Sequence, residues 1–249
     1  TTPELGEDEY HFDGKNVIVL NTMPHKTIKS LGVGVIANLK ARIEGGLIEN
    51  NAMYGFSCAY ASGDCRLEDI VIRETQPAQV VPNYDDMADY FGFGLMASNG
   101  SKVTINRGLL ESNRIIGMVS VTEGTELSAS DVVVRDTLPA LGGVVEGVNM
   151  AGRLGRGLSA ELKGQMSING GYVIGNRESA VTAVEGGLLQ LTDVWIKDTL
   201  PSSGEATVDN PQVGLIDMNG EAGDGLAAAR GGIVEGTRLL VEGSHEMGI

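Results

Sequence analysis

An eight-residue motif that recurs along the chain constrains the fold more than any other feature. VVVRDTLP (residues 132–139) returns as VWIKDTLP (194–201), with a more distant copy, IVIRETQP (70–77), and a faint one, VIVLNTMP (17–24). A repeat of this length is usually one structural unit that stacks on its neighbours. The motif therefore predicts a solenoid.

A second signature, a glycine followed by a short apolar stretch, sets the length of the unit. It begins at positions 34, 55, 94, 117, 157, 180 (here an alanine), 225 and 248, at intervals of 21, 39, 23, 40, 23, 45 and 23 residues. Short and long intervals alternate. We expect each long interval to insert a loop at one corner, directly after the proline of the motif.

Within a short interval, the alternation of apolar and polar residues indicates three short strands, as in GLMAS, KVTIN and GLLESN. Three strands per turn of roughly 22 residues are typical of a parallel β-helix. We predict an all-β, single-domain, right-handed parallel β-helix of about eight coils over residues 15–249, after an acidic tail at 1–14. The 36 glycines of the 249 residues suit its tight turns.

The corner after the third strand has a recurrent polar side chain where the proline is absent. Asn51, Asn113, Asn176 and Ser244 occupy it. Asparagine tolerates the left-handed backbone conformation, so we expect these residues to form one stacked column.

The alternating coils and the phrase VRDTLP followed by GRG (residues 155–157) resemble the right-handed β-helix repeat proteins of Gram-negative bacterial surfaces. The wider superfamily is similar to pectate lyases and polygalacturonases. The resemblance implies the fold over residues 15–249 and a secreted or cell-surface location. It implies little about activity, because one fold serves many functions.

The second loop, PAQVVPNYDDMADYFGF, concentrates aromatic and acidic side chains. Rings exposed on a loop can stack on a sugar or fill a partner's pocket, whereas rings folded down onto the rod would form a small satellite core. Both interpretations stay open at this point. The candidate binding residues are Tyr84, Asp85, Asp86, Asp89, Tyr90, Phe91 and Phe93.

The fourth loop ends in DMNGEAGDG, which supplies oxygen ligands around a flexible turn. Ca²⁺ prefers such ligands, although the spacing is not that of an EF-hand. The candidate Ca²⁺ ligands are Asp217, Asn219, Glu221 and Asp224; the alternative is a chance cluster in an acidic protein.

Catalysis has weak support in the sequence. Hydrolysis of a glycosidic bond needs two carboxyl groups in fixed positions, and Asp85 and Asp86 form the one pair that resembles a polygalacturonase motif. Arg73, Arg135 and Lys197 recur beside acidic residues, which indicates a charge-paired ladder on a solvated sheet. We expect no catalytic residues; the alternative is a polysaccharide lyase or glycoside hydrolase that uses Asp85 and Asp86.

The composition and the two cysteines bear on the partners and the cellular location of the protein. A net charge of -15 disfavours nucleic acid as a partner, and no apolar run is long enough for a membrane helix. Cys58 and Cys65 lie on consecutive strands of one coil, where either a disulfide or two buried thiols would fit.

The predicted function is a non-catalytic extracellular module that presents its loops for adhesion, to a protein or a glycan; a structural block of a fibre is a further alternative. Because the chain begins at Thr1 and stops within a repeat, we expect it to be a segment of a longer protein. We also expect end-to-end self-association through the last coil, around Leu226, Leu239, Val241 and Ile249.

Overall fold

A computed structural model of the chain describes residues 12–23, 32–77, 91–145, 148–202 and 223–245. These residues form strands, turns and irregular segments and contain no helix. They accordingly include no helix that could span a membrane. The strands form two long parallel sheets, which confirms the predicted all-β class and is consistent with a parallel β-helix.

Sheet A carries the longer strands and has β1 and the last strands at its two edges. Its strands pair in the order β1-β3-β5-β7-β9-β13-β15-β17, and β18 also pairs with β15. Their bounds are β1 Phe12–Leu20, β3 Ala41–Glu49, β5 Asp64–Arg73, β7 Lys102–Glu111, β9 Glu126–Arg135, β13 Gln165–Ile174, β15 Leu188–Lys197, β17 Ile233–Thr237 and β18 Leu240–Glu242.

Sheet B carries the short strands that begin at the glycine signature. Its order is β16-β14-β12-β8-β6-β4-β2. The bounds are β2 Val35–Ala37, β4 Tyr54–Ala59, β6 Phe93–Ser98, β8 Ile116–Val121, β12 Arg156–Glu161, β14 Glu178–Val184 and β16 Gly223–Ala229, while β10 Val144–Val145 and β11 Val148–Asn149 form a separate hairpin.

The main core lies between the two sheets. Apolar residues at every second position of each strand point inward, for example Leu67, Ile105 and Ala129 on sheet A and Phe56 and Met118 on sheet B. Burial alternates along most sheet A strands, as expected for strands with one face in the core and one in solvent. A single continuous core therefore runs along the stack.

The prediction of three separate strands per coil was wrong in one respect. The second and third strands form one continuous strand of about ten residues, and a single residue of positive φ bends it. These residues occupy one register column: Asn16, Gly45, Asp69, Arg107, Asp131, Gly170, Asp193 and Arg238. The turn at this corner needs one residue, so no break in the apolar alternation marks it in the sequence.

The polar corner column is present, but its physical basis differs from the prediction. The left-handed residue is the one before each asparagine, at Asn50, Ser112 and Gly175. The asparagine itself points inward and is buried, in the same column as the threonines of the neighbouring repeats. We call this column, Thr22, Asn51, Thr75, Asn113, Thr137, Asn176, Thr199 and Ser244, the Asn–Thr ladder.

Asn113 shows how the ladder holds neighbouring repeats together. Its side-chain oxygen accepts hydrogen bonds from the Thr75 backbone N–H (3.1 Å) and the Thr75 hydroxyl (2.7 Å). Its amide nitrogen donates to the Ile72 carbonyl at 2.9 Å. Asn176 makes the equivalent bonds to the Thr137 N–H and the Val134 carbonyl. Each asparagine thus satisfies buried backbone groups of the preceding repeat.

The glycine signature follows from the close approach of neighbouring repeats at this corner. A Cβ atom at Gly94 would lie 2.5 Å from the Gly117 carbonyl oxygen and 2.7 Å from the Asn113 amide nitrogen, and one at Gly157 would lie 2.6 Å from the Ala180 carbonyl oxygen. A side chain at the first position of the apolar stretch would therefore collide with the backbone of the next repeat as well as with the buried asparagine.

Candidate functional site

The loop after Pro139 folds over the outer face of sheet B. The structure describes residues 139–145 and 148–155 of it. Ala140, Met150 and Leu154 form a second hydrophobic cluster with Ile116 and Val119. Val119 is 1% exposed although its side chain points away from the main core, because this loop covers it. We call this segment, residues 139–155, the cover loop.

Hydrogen bonds fix both ends of the cover loop to the sheets. The Arg114 guanidinium donates to the Pro139 carbonyl at 3.0 Å, and burial lowers the pKa of Arg114. At the other end the Gly155 N–H donates to the Ile115 carbonyl at 3.0 Å. Between them, the Ala140 N–H donates to the Arg153 carbonyl at 2.9 Å and closes the base of the loop.

A buried ion pair lies beneath the cover loop. The Arg156 guanidinium donates to one carboxylate oxygen of Glu178, from Nε at 2.9 Å and from Nη2 at 2.5 Å. The other Glu178 oxygen accepts the Leu154 N–H at 2.8 Å. Both side chains are less than a tenth exposed. The pair therefore joins β12, β14 and the end of the cover loop, and its charges are compensated where water is excluded.

Glu161 and Asp224 extend this polar region. Glu161 lies 3.7 Å from Arg156 and accepts a hydrogen bond from the Ser159 hydroxyl at 2.7 Å. Asp224 is buried on β16, in register with Ser179, the residue after Glu178. These residues form no recognisable motif in the sequence, because they lie on three different strands and have no regular spacing along the chain.

Of the predicted binding residues, Phe91 and Phe93 lie in the described part of the chain. Phe93 is buried and stacks on Tyr54 with the ring centroids 5.7 Å apart. Phe91 makes edge contacts with both rings, at 6.0 Å from Tyr54 and 5.8 Å from Phe93. The rings therefore contact one another, and burial raises the pKa of Tyr54 to about 12. Tyr84, Asp85, Asp86, Asp89 and Tyr90 lie outside the described residues.

Of the predicted Ca²⁺ ligands, Asp224 alone is described; Asp217, Asn219 and Glu221 are not. Within the described ranges no three acidic, cysteine or histidine side chains are grouped closely enough to hold a metal ion. The Ca²⁺ site stays a prediction.

Cys58 and Cys65 form a disulfide between β4 and β5, with their Cα atoms 6.6 Å apart. Cys58 pairs in register with Ala97 and points into the core. Cys65 pairs with Val103 on the neighbouring strand. The bond crosses the turn at residues 60–63 and lies within one repeat.

The charge ladder on sheet A is present, and its main partners lie on neighbouring strands. Arg73 donates to Glu49 at 2.7 Å, Arg135 to Glu111 at 3.0 Å, and Lys197 lies 3.4 Å from Glu242. Sequence neighbours such as Asp136 and Asp198 are more distant, at 3.9 and 4.0 Å. The recurrence of Arg73, Arg135 and Lys197 could be read from the sequence. Their partners on neighbouring strands could be identified only from the strand register.

No family model, no curated protein and no solved structure matches the chain. The pectate-lyase-like type stays a prediction from the sequence motifs.

Proposed function

We propose that the chain is a non-catalytic, extracellular or cell-surface β-helix module that binds a protein or glycan through loops at one corner. The observation that carries this proposal is the geometry of the cover loop. Its base is fixed by hydrogen bonds, while Leu141 beside the base and Val144 in the β10–β11 hairpin are 56% and 41% exposed. Apolar side chains presented by a fixed loop on a rigid scaffold are typical of recognition sites.

The proposed scaffold is a right-handed parallel β-helix of about eight coils, of the pectate-lyase-like type, in which alternate coils carry a long loop. Bonded residues on neighbouring sheet A strands support the alternation. They are separated by 24 residues for Glu49–Arg73, 38 for Asp69–Arg107, 24 for Glu111–Arg135, 39 for Ser128–Ser167 and 45 for Gln190–Glu235. Right-handedness follows the general preference of parallel crossovers.

The disulfide supports the proposed location. A bond between Cys58 and Cys65 persists in oxidising compartments such as the periplasm or the cell surface and is rare in a reducing cytosol.

Binding to arrays of bacterial and plant polysaccharides and to intact Gram-negative cells tests the proposal. We expect the labelled chain to be retained on at least one of these probes, and a Leu141→Ser/Val144→Ser variant to lose at least tenfold in retention. The matched control is Leu162→Ser, because Leu162 is 48% exposed at a turn outside the cover loop. Equal retention of all three proteins, or none, would contradict the proposal.

The same arrays separate binding from catalysis. Released reducing ends or unsaturated products, abolished by Asp85→Asn or Asp86→Asn, would favour the alternative of a carbohydrate-active enzyme. Retention without product formation is the expected result.

A further inference from the structure

A continuous column of apolar side chains crosses the outer face of sheet A, on the half of each strand that follows the left-handed residue. Its members are paired in register from strand to strand. We call it the apolar stripe: Ile18, Leu47, Val71, Leu109, Val133, Tyr172, Trp195 and Leu240. Seven steps of about 4.8 Å give a length of about 34 Å.

The stripe is accessible. Ile18, Tyr172 and Leu240 are 68%, 45% and 51% exposed, and the other members are half-buried between their neighbours in the column. The Tyr172 and Trp195 rings lie 5.6 Å apart, with Lys197 above the Trp195 ring. The cover loop packs on sheet B and not on this face. A contiguous exposed apolar surface of this kind usually marks an interaction site.

Charged residues flank the stripe on both sides, and their signs are related. The column of left-handed residues lies on one side, and the residue four positions later in each strand lies on the other. Wherever both positions are charged, the signs are opposite. The five combinations are Asp69 with Arg73, Arg107 with Glu111, Asp131 with Arg135, Asp193 with Lys197, and Arg238 with Glu242.

The two flanks of one strand cannot pair with each other, because four residues of strand span about 13 Å. They contact neighbouring strands instead: Arg107 pairs with Asp69 at 2.7 Å, and Arg238 pairs with Asp193. These pairs account for the alternation of sign along each flank, but they do not require opposite signs at the two flanks of one strand.

The opposition of sign between the two flanks has a function when a second copy of the chain faces the first. A two-fold axis that runs along the stripe places each stripe residue opposite its own copy and exchanges the two flanks. Every charged residue in the column of left-handed residues then faces an opposite charge of the other flank, which gives five attractive pairs, each repeated by symmetry. An interface related by a two-fold axis must be self-complementary in this way.

We propose that the apolar stripe is the docking surface for a second copy of this chain, with the two stacks side by side and running in the same direction. The opposite alignment is less favourable, since it brings together only Glu111 with Arg135, Glu49 with Lys197, and Arg107 with Asp131. Opposite charges across an interface fix its register and suppress wrong pairings.

The size of the surface sets the expected strength. A strip of about 34 by 13 Å buries on the order of 900 Å² over two copies, which is below the range of about 1,200–2,000 Å² for stable interfaces. We therefore expect a reversible dimer with a dissociation constant in the micromolar range.

Sedimentation equilibrium of the whole chain tests the dimer. Val133→Lys places two like charges at the centre of the interface and should raise the dissociation constant at least tenfold. The Val133 side chain is partly exposed on the outer face, so the monomer can accommodate the lysine, and circular dichroism verifies its fold. The control is Leu162→Lys, which should dimerise like the original chain. A monomer at millimolar concentration, or equal dimerisation of the Val133→Lys variant, would overturn the proposal.

Cross-linking tests the direction. Leu240 lies at one end of the stripe, so in the proposed alignment the two copies of Leu240→Cys face each other and a short bismaleimide joins them. In the opposite alignment they would be about 35 Å apart, given the strand spacing, and Leu240→Cys would react with Ile18→Cys instead. Cross-linking of the mixed pair alone would overturn the parallel alignment.

Discussion

The two sheets differ in how their interactions are made. On sheet A the contacts recur from strand to strand, as in the Asn–Thr ladder at its corner and the Glu49–Arg73 and Glu111–Arg135 pairs. On sheet B, beneath the cover loop, the contacts occur once, above all the Arg156–Glu178 pair between β12 and β14. The repeated ion pairs are exposed and the repeated ladder bonds are buried at a corner, whereas the single ion pair is buried beneath a loop.

This difference predicts which contacts contribute most to the stability of the fold. A repeated contact can be lost at one level while the neighbouring levels keep theirs, because each repeat touches only its neighbours. A contact that occurs once has no such support. The following experiments, from the largest expected effect to the smallest, compare the two kinds of contact.

Removal of the buried ion pair should have the largest effect. Arg156→Ala leaves the Glu178 carboxylate buried without its main partner, and we expect a loss of about 3–5 kcal/mol in the free energy of unfolding. Urea denaturation measures it. The control Arg135→Ala removes an exposed pair and should cost at most about 1 kcal/mol. Equal losses in the two variants would contradict a larger contribution of the buried pair to the free energy of unfolding.

A double variant separates charge from shape in the same region. Arg156→Met/Glu178→Gln removes both charges at similar volume, so it should recover much of the loss caused by Arg156→Ala. A further loss in the double variant would contradict an unpaired charge as the cause.

One step of the Asn–Thr ladder should matter less than the ion pair. Asn113→Ala leaves the Thr75 N–H and the Ile72 carbonyl without their partner, and we expect a loss of about 2–3 kcal/mol in urea unfolding. Asn169→Ala, at an exposed position of β13, is the control and should change the stability by less than about 0.5 kcal/mol. A loss as small as the control's would show that neighbouring levels compensate.

The disulfide should contribute about 2 kcal/mol, since it closes a short loop in the unfolded chain. The residues are 7 apart in sequence. We expect Cys58→Ala/Cys65→Ala to lower the free energy of unfolding by this amount, and a reductant to lower the melting temperature of the original chain but not that of the variant. An effect of reductant on both proteins would point to another cause.

Tyr54 gives the covered face a distinct pH dependence. Its pKa is about 12 in the folded chain and about 10 when unfolded. The folded state therefore keeps a proton that the unfolded state loses, and stability falls as the pH rises from 10 to 12. Relative to Tyr54→Phe, the original chain should lose about 1 kcal/mol more between pH 9 and pH 11. Parallel pH profiles of the two proteins would contradict this burial effect.

A substitution at Ser244, the last described member of the Asn–Thr ladder, should have the smallest effect on the free energy of unfolding. Ser244 occupies the asparagine position of the last pair, and among the described residues its hydroxyl and that of Thr199 have no hydrogen-bond partner. Ser244→Asn should restore the bridge to the preceding repeat and raise the free energy of unfolding by about 0.5–1 kcal/mol. A destabilised variant would show that this last level differs in geometry from the others.

The same contrast explains what could be predicted from the sequence. Strand alternation, the glycine positions and the ladder asparagines recur, so their pattern indicated a parallel β-helix and a polar corner. The left-handed bend at Asp69 or Arg107 left no trace, because a one-residue turn does not interrupt the alternation of apolar residues. The Arg156–Glu178 pair and the stacking of Tyr54 on Phe93 each occur once, between neighbouring strands of sheet B, so no repeated pattern marks them in the sequence.

The position of the disulfide has a mechanical consequence. Cys58 and Cys65 belong to one repeat, so the bond does not tie neighbouring repeats together. A force that pulls the two ends apart would peel the strands from the edges of the stack one level at a time. Each level would release a length set by its spacing, about 80 Å for 24 residues and about 130 Å for 39. Such a rod unfolds in alternating short and long steps. The disulfide shortens the extension gained in one step and leaves the other steps unchanged.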